Sequence, residues 1–371
     1  MKTNKTSLNI IFSLLIFFLV SVLSIYATRV FLNDAFKNLY LKQIAFYLVG
    51  TSFVAFLTYK GFFLLKKYHF LVYIGINILL LFLLIFGVSI NGSKCWLFIG
   101  PISFQPSEFM KISLIITLAR TVEKYRNKKK YDLKQEFIIL LKLFLLTLIP
   151  SVLTFLEPDT GVVIIYFLIF LVFVFFLKLN KRWYIFFSLS FLVLILSFLG
   201  LYFFKQDLFL NLVGEDIFYR LDRILNWASS SGYQLENSLI AIGASGLTGF
   251  GYLQNPVYFP EPQTDFIFAT YAANFGFLGC LFLIFVIIIF DTTILKMLKK
   301  KIKLVDKYII LGIFIMLFYG QVQNISMTLG LLPITGIPLP FISYGGTSLL
   351  SYMVSIGLIL NIHANFLKYR N

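Results

Sequence analysis

An all-α, polytopic integral membrane protein with about ten transmembrane helices is the fold this sequence predicts, and three observations predict it. The chain is 59% hydrophobic and only 13% charged, with a mean hydropathy far above that of a soluble globular domain. Apolar runs recur from end to end that are long enough to cross a hydrocarbon layer of roughly 30 Å, which takes about 20 helical residues each. The basic residues gather in alternate loops between those runs.

The spans fall at 8–28, 43–59, 70–90, 108–121, 137–156, 162–178, 183–204, 266–290, 308–329 and 346–366. The first follows Lys2 and Lys5 and is too long for a signal-peptide core, with no small-residue cleavage site after it, so it reads as an uncleaved span. The second stops at Lys60. The fourth is short and opens on Pro106-Ser107-Glu108, and the fifth carries Lys142 at its edge. The sixth follows a Glu-Pro-Asp turn and the seventh a Lys181-Arg182 pair. The eighth follows Thr264-Asp265, and the tenth follows a proline- and glycine-rich stretch, 331–348.

The net charge of +16 is a topology signal. Lys60, Lys66 and Lys67, then Arg120 to Lys134, Lys178 to Arg182, Lys296 to Lys307, and Lys368 with Arg370 occupy one set of loops. The other set holds only Arg29, Lys37, Lys42, Lys94, Lys205, Arg220 and Arg223, which puts both termini in the cytoplasm. Membrane lipids with anionic headgroups are the expected partner of the basic face, and nucleic acid is not. Cys95 and Cys280, far apart in sequence, argue for neither a metal site nor a disulfide framework.

With no fixed-period repeat and no linker, residues 1–371 read as one membrane domain containing a large extracellular loop, 205–264, between the seventh and eighth spans. That loop holds most of the outer acids. Its glycines at 243, 246, 249 and 251 suggest a short helix followed by tight turns.

Four polar or glycine-proline clusters stand at span ends on this outer side. In NGSKCWLFIGPISFQPSEFMKIS (91–113), Glu108 and Lys111 share a helix face at i and i+3 and can pair, because an unpaired charge in a span is expensive. In LEPDTG (156–161), Asp159 is placed to cap the next helix. LLPITGIPLPFISYGGTS (331–348) reads as a broken segment, tolerated in a bilayer only where protein or a cavity satisfies its backbone. In FPEPQTDFIF, Thr264 and Asp265 sit where a helix should begin, with Glu261 in the proline-flanked turn before them. Acids and bases converging on one membrane face suit an anionic, lipid-linked substrate in a cavity open to the outer leaflet.

Five stretches in order, GPISFQPSEFMK, EPDTG, GYQLENSLIAIGASGLTGFG, FPEPQTDFIF and LLPITGIPLPFISYGGTS, resemble the SEDS family (shape, elongation, division and sporulation), most closely its rod-shape (RodA) branch. The resemblance runs from about Asn91 to Ser348. It implies a peptidoglycan glycosyltransferase that polymerises lipid II into glycan strands on the outer face of the bacterial cytoplasmic membrane and releases undecaprenyl pyrophosphate. It further implies Asp265 as the essential catalytic carboxylate, either general base or ligand to a divalent cation (Mg or Mn). Lys111 and Arg223 then face the leaving pyrophosphate, while Glu108, Asp159, Glu261, Ser107 and Gln105 bind substrate or support the site. A helix dipole at Asp265 would lower its pKa and keep it ionised, so that cap and catalyst coincide. The expected partners are a class B penicillin-binding protein and other elongation-complex proteins.

The chain departs from the family's wording at Cys95, where an Arg is usual, at Ala273-Asn274-Phe275-Gly276, where Glu-Glu-Leu-Gly is usual, at Asn237, and at EPDTG, where Gln-Pro-Asp-Leu-Gly is usual. Alternative readings are a lipid II flippase, which would call for inverted repeats that the sequence does not display, a division-type (FtsW-like) paralogue with the same chemistry, and a scaffold in which Asp265 is dispensable.

Overall fold

The computed structural model describes residues 5–33, 36–87, 94–99, 102–126, 132–204, 206–214 and 232–370. Helices stand at all ten predicted spans: α1 (Lys5–Ala27), α2 (Leu39–Lys60), then, after the short α3 (Phe63–Lys67), α4 (His69–Phe86), α5 (Pro106–Arg126), α6 (Leu133–Leu156), α7 (Thr160–Phe176) and α8 (Lys181–Phe204). Two short helices, α9 (Gln206–Val213) and α10 (Tyr233–Ala244), lie in the large loop. They precede α11 (Ile267–Leu298), α12 (Leu304–Thr328) and α13 (Gly346–Arg370). Among the described residues seven helices are long and apolar enough to cross a membrane by length and composition, and α7 is a shorter apolar helix. Large apolar side chains stay exposed along α2, α4, α6 and α8, as a lipid-facing surface requires.

The fourth span departs from the apolar rule for a physical reason. Helix α5 is the centre of the bundle, packed by α4, α6, α7, α12 and α13. Met110, Leu114, Ile115, Leu118, Ala119 and Val122 are fully buried on it, so it meets protein rather than lipid and can carry charges. A small antiparallel hairpin, β1 (Leu97–Ile99) with β2 (Ile102–Phe104), pairs Leu97 with Phe104 just ahead of it. The α2–α13 contact is built on small residues: a β-carbon at Gly50 would come 2.7 Å from Met353, and one at Gly346 2.6 Å from Phe46.

Two irregular stretches are satisfied by neighbouring protein. Between α12 and α13, residues 331–345 run without helix. Ser21 of α1 donates to Ile342 O (2.7 Å), Tyr47 of α2 to Phe341 O, Gln43 of α2 to Ser343 O (3.1 Å) and Asn324 of α12 to Ile337 O (2.9 Å). The broken segment expected from its prolines and glycines is thus held by side chains of three helices, as a buried non-helical backbone must be. Helix α11 breaks at Gly276 (φ 64°, ψ −163°). There Phe277 N–H donates to Gly246 O and Leu278 N–H to Leu247 O, while Phe250 N–H donates to Ala273 O. The glycine-rich turn after α10 therefore fills the break in α11. At Gly249 (φ +85°) a β-carbon would lie 2.3 Å from Asn274 O.

Candidate active site

The clusters that sequence places at one membrane face meet around a cavity of about 350 Å³. Its wall takes Lys42 from α2, Gln105 just ahead of α5, Glu108 and Lys111 from the start of α5, Asp159 from the α6–α7 turn, Thr264 and Asp265 ahead of α11, and residues of the 336–348 segment.

One side is a hydrogen-bonded block. Asp159 is the N-cap of α7, its Oδ1 accepting from Val162 N–H (3.2 Å), so the expected cap is formed. Its Oδ2 faces the other way and accepts from Gln105 Nε2 (2.9 Å) and Ser107 Oγ (3.4 Å), and Ser107 O accepts from the Tyr166 hydroxyl (2.9 Å). Burial raises the Asp159 carboxyl to about 6 against the help of the Val162 N–H. Beside it the Glu108–Lys111 pair closes at 2.8 Å, with both side chains almost wholly buried. Ser351 of α13 donates to Glu108 Oε2 (3.1 Å), and the Lys111 ammonium lies 5.1 Å from the centre of the Tyr352 ring. The pair neutralises itself and fixes α5 to α13.

Asp265 lines the same cavity. Its backbone is gripped: Asn324 Nδ2 donates to Asp265 O (2.9 Å), Ser343 Oγ to Thr264 O (2.7 Å), and Tyr344 N–H to Gln263 O (2.8 Å). Its carboxylate makes no hydrogen bond or ion pair among the described residues. Gly336 (φ +70°) leaves the space beside it, since a β-carbon there would stand 3.8 Å from Oδ2.

Two expectations for Asp265 are corrected. Helix α11 starts at Ile267 with Phe266 at the N-cap and no side-chain cap bond, so neither Thr264 nor Asp265 caps it. Nor is the acid kept strongly ionised: burial, helped by the nearby Glu261 charge, raises it to about 6, because desolvation of an unpartnered carboxylate outweighs the helix end.

Of the other sequence-predicted residues, Ser107 supports Asp159 from behind the wall. Glu261 is exposed, at φ +53°, and its Oε2 accepts from Gln263 Nε2 (3.0 Å) and Thr264 Oγ1 (2.8 Å), which ties the turn before Asp265. Arg223 lies outside the described residues. Sequence reasoning missed Lys42, an exposed cation at the start of α2 that lines the cavity. Its only signal is that it is one of the few bases on the acid-rich side. No three His, Cys, Asp or Glu side chains assemble into a metal site among the described residues.

The family model described as cell cycle protein, FtsW/RodA/SpoVE, matches residues 5–368. The chain belongs to that family. It is 36% identical to the probable peptidoglycan glycosyltransferase FtsW of Coxiella burnetii over 82% of this chain and 78% of that protein. It is 28% identical to the peptidoglycan glycosyltransferase RodA of Treponema pallidum over 88% and 89%. In fold it matches a chain of a solved peptidoglycan synthase complex that coordinates polymerisation and crosslinking, with a TM-score of 0.77 over 96% of this chain and 97% of that one, at 21% identity.

Membership gives the departures in wording a local reading. Ala273 is buried and its carbonyl serves Phe250, while Asn274 Oδ1 accepts from Leu253 N–H (2.9 Å) and its Nδ2 donates to Thr270 O (2.8 Å). At these two positions, where the resemblance implied acids, this chain holds the 246–253 turn. Cys95 donates to Glu157 O (2.9 Å) and belongs to the packing of the α6 end.

Proposed function

We propose that this chain is a peptidoglycan glycosyltransferase that polymerises lipid II on the outer face of the cytoplasmic membrane for cell elongation and shape. The observation that carries this reading is the Asp265 carboxylate, which makes no hydrogen bond or ion pair among the described residues and is held by its backbone in a cavity that also presents Lys42.

Glycan polymerisation joins an acceptor sugar hydroxyl of one lipid-linked disaccharide to the anomeric carbon of another. As the new C–O bond forms, the anomeric bond to the diphosphate breaks, and its electron pair leaves with undecaprenyl pyrophosphate. Asp265 accepts the hydroxyl proton, a role suited to a carboxyl raised to about 6, near the working pH. Lys42 meets the charge growing on the leaving diphosphate, and Arg223 is a further cation for that end. Lys111, closed onto Glu108, orients the wall.

The alternate loop charges support an arrangement with both termini in the cytoplasm and the cavity outside. Likeness to a chain of a synthase complex supports a class B penicillin-binding protein as transpeptidase partner. The TGIPLPFISYGG wording supports elongation over division; loss of the chain then rounds cells, whereas a division enzyme's loss makes filaments.

The direct test is polymerisation of labelled lipid II by the purified chain, with and without its transpeptidase. Long strands from wild type and none from a folded, partner-binding Asp265→Ala variant are expected. Equal strands from both would remove the carboxylate from the mechanism. Lys42→Gln is expected to lower the rate by about tenfold or more, with unfolding temperature unchanged because the side chain is exposed.

A further inference from the structure

A second cavity, of about 1190 Å³, has no part in the chemistry above. Three helices fix its place. Helix α2 contributes Lys42 and Phe46 to the Asp265 cavity and Thr58 to Lys60 to this one; α5 contributes Glu108 and Lys111 to the first and Arg120 and Glu123 to the second; α13 contributes Gly346 and Ser348 to the first and Leu360 to Lys368 to the second. From Glu108 to Glu123 is about 22 Å along a helix, so the two cavities lie at opposite ends of the bundle.

The charge of this second cavity is one-sided. Six bases line it, Lys60, Lys66, Lys67, Arg120, Lys303 and Lys368, against the single acid Glu123. Arg120 is paired with Glu123, and Lys66 with Asp306. Among the described residues Lys60, Lys67, Lys303 and Lys368 have no carboxylate partner. Lys60 and Lys67 instead lie over the rings of Tyr59 and Tyr68, at 5.7 and 5.0 Å. Unbalanced cations around a concave site repel one another and call for an anion.

Its wall is also apolar. Ile11 and Phe63 line it while 45% and 73% exposed, beside the paired Lys66 and the exposed Tyr59. A soluble polyanion has no use for that surface, whereas a lipid has both a charge and a chain. We propose that this cavity binds the phosphate headgroup of an anionic membrane lipid, with the four lysines that lack a carboxylate partner among the described residues meeting the phosphate and Ile11 and Phe63 flanking the chain. Two lipid classes share this chemistry, a glycerophospholipid and a polyprenyl diphosphate carrier.

The test counts lipid retained on the full chain by native mass spectrometry after purification with phosphatidylglycerol or phosphatidylcholine. Phosphatidylglycerol should be retained in preference. Replacing Lys60, Lys67, Lys303 and Lys368 with Gln should weaken its retention at least about tenfold. Replacing Lys296, Lys299, Lys301 and Lys307 with Gln, the same charge removed at the same end but outside the cavity, should leave it unchanged. Unfolding temperatures of both variants verify that they fold. Displacement of phosphatidylglycerol by undecaprenyl diphosphate, with the same dependence on the four lysines, assigns the cavity to the carrier rather than the phospholipid. Equal losses in the two variants, no preference over phosphatidylcholine, or displacement by inorganic phosphate would overturn the proposal.

Discussion

The Asn324 side-chain nitrogen donates to two carbonyls at once, Asp265 O and Ile337 O, each at 2.9 Å. One amide on α12 thereby clamps the start of α11 to the irregular segment that contains Gly336, and both are walls of the cavity. Asn324→Leu keeps the volume and leaves both acceptors unsatisfied, at a cost of about 1–3 kcal/mol for each buried group. The expected result is a lowered unfolding temperature in detergent. Polymerisation is expected to fall by more than that loss of stability explains, about 100-fold, because a shift of roughly 1 Å in a catalytic group has that effect. A variant that loses stability alone would mean the clamp does not position Asp265.

The rate of polymerisation should depend on the ionisation of Asp265. Its carboxyl is raised to about 6 by burial and by Glu261, and a general base works only when ionised, so the rate should fall about tenfold per pH unit below 6. Glu261→Gln removes the neighbouring negative charge and should move this acid limb to lower pH while leaving the plateau near that of wild type. Single-turnover rates across pH 4.5 to 8 would measure both, and an unmoved limb would separate the limb from Asp265.

Glu108 and Lys111 form a buried pair whose members differ in what their loss leaves behind. Glu108→Gln strands an ammonium in the protein interior, a loss of about 3–5 kcal/mol for a broken buried pair. Lys111→Met together with Glu108→Gln removes both charges and should recover most of that stability. Thermal unfolding of the two single variants and the double variant forms the cycle; additive losses would show that the groups do not act as a pair.

Much of this arrangement is legible in the sequence because bilayer physics writes it locally. Apolar runs mark the lipid-facing helices, the i and i+3 spacing of Glu108 and Lys111 marks their pair, and the prolines and glycines of 331–345 mark a segment without helix. What is not legible depends on contacts between distant parts of the chain. Lys42 gains its meaning only when the start of α2 is brought against α5 and the 336–348 segment. The state of Asp265 is misread from sequence because a helix start is visible there, whereas the burial that outweighs it is built by Asn324, Gly336 and Ser343 from elsewhere. The acids absent at Ala273 and Asn274 have a use in the turn after α10 that no local pattern carries.

Glu157, at the end of α6, is fully buried, and among the described residues neither carboxylate oxygen has a hydrogen-bond partner. Burial, with the neighbouring Asp159 charge, raises it to about 8, well above the value an exposed Glu has in the unfolded chain. The folded state therefore binds a proton that the unfolded state releases near pH 4.3, and linkage fixes the sign. The stabilising effect of that proton is fully present below the unfolded pKa and is lost as pH rises through about 8. Glu157→Gln supplies a permanently neutral side chain of the same shape. It should leave stability near pH 4 almost unchanged and raise it increasingly toward pH 8, so that unfolding temperatures of wild type and variant diverge with pH. Parallel curves would mean that Glu157 does not change its protonation on folding. The substitution also restores the Gln-Pro-Asp wording usual in the family, so polymerisation at neutral pH should survive it, because Gln105, Ser107 and the Val162 N–H still hold Asp159.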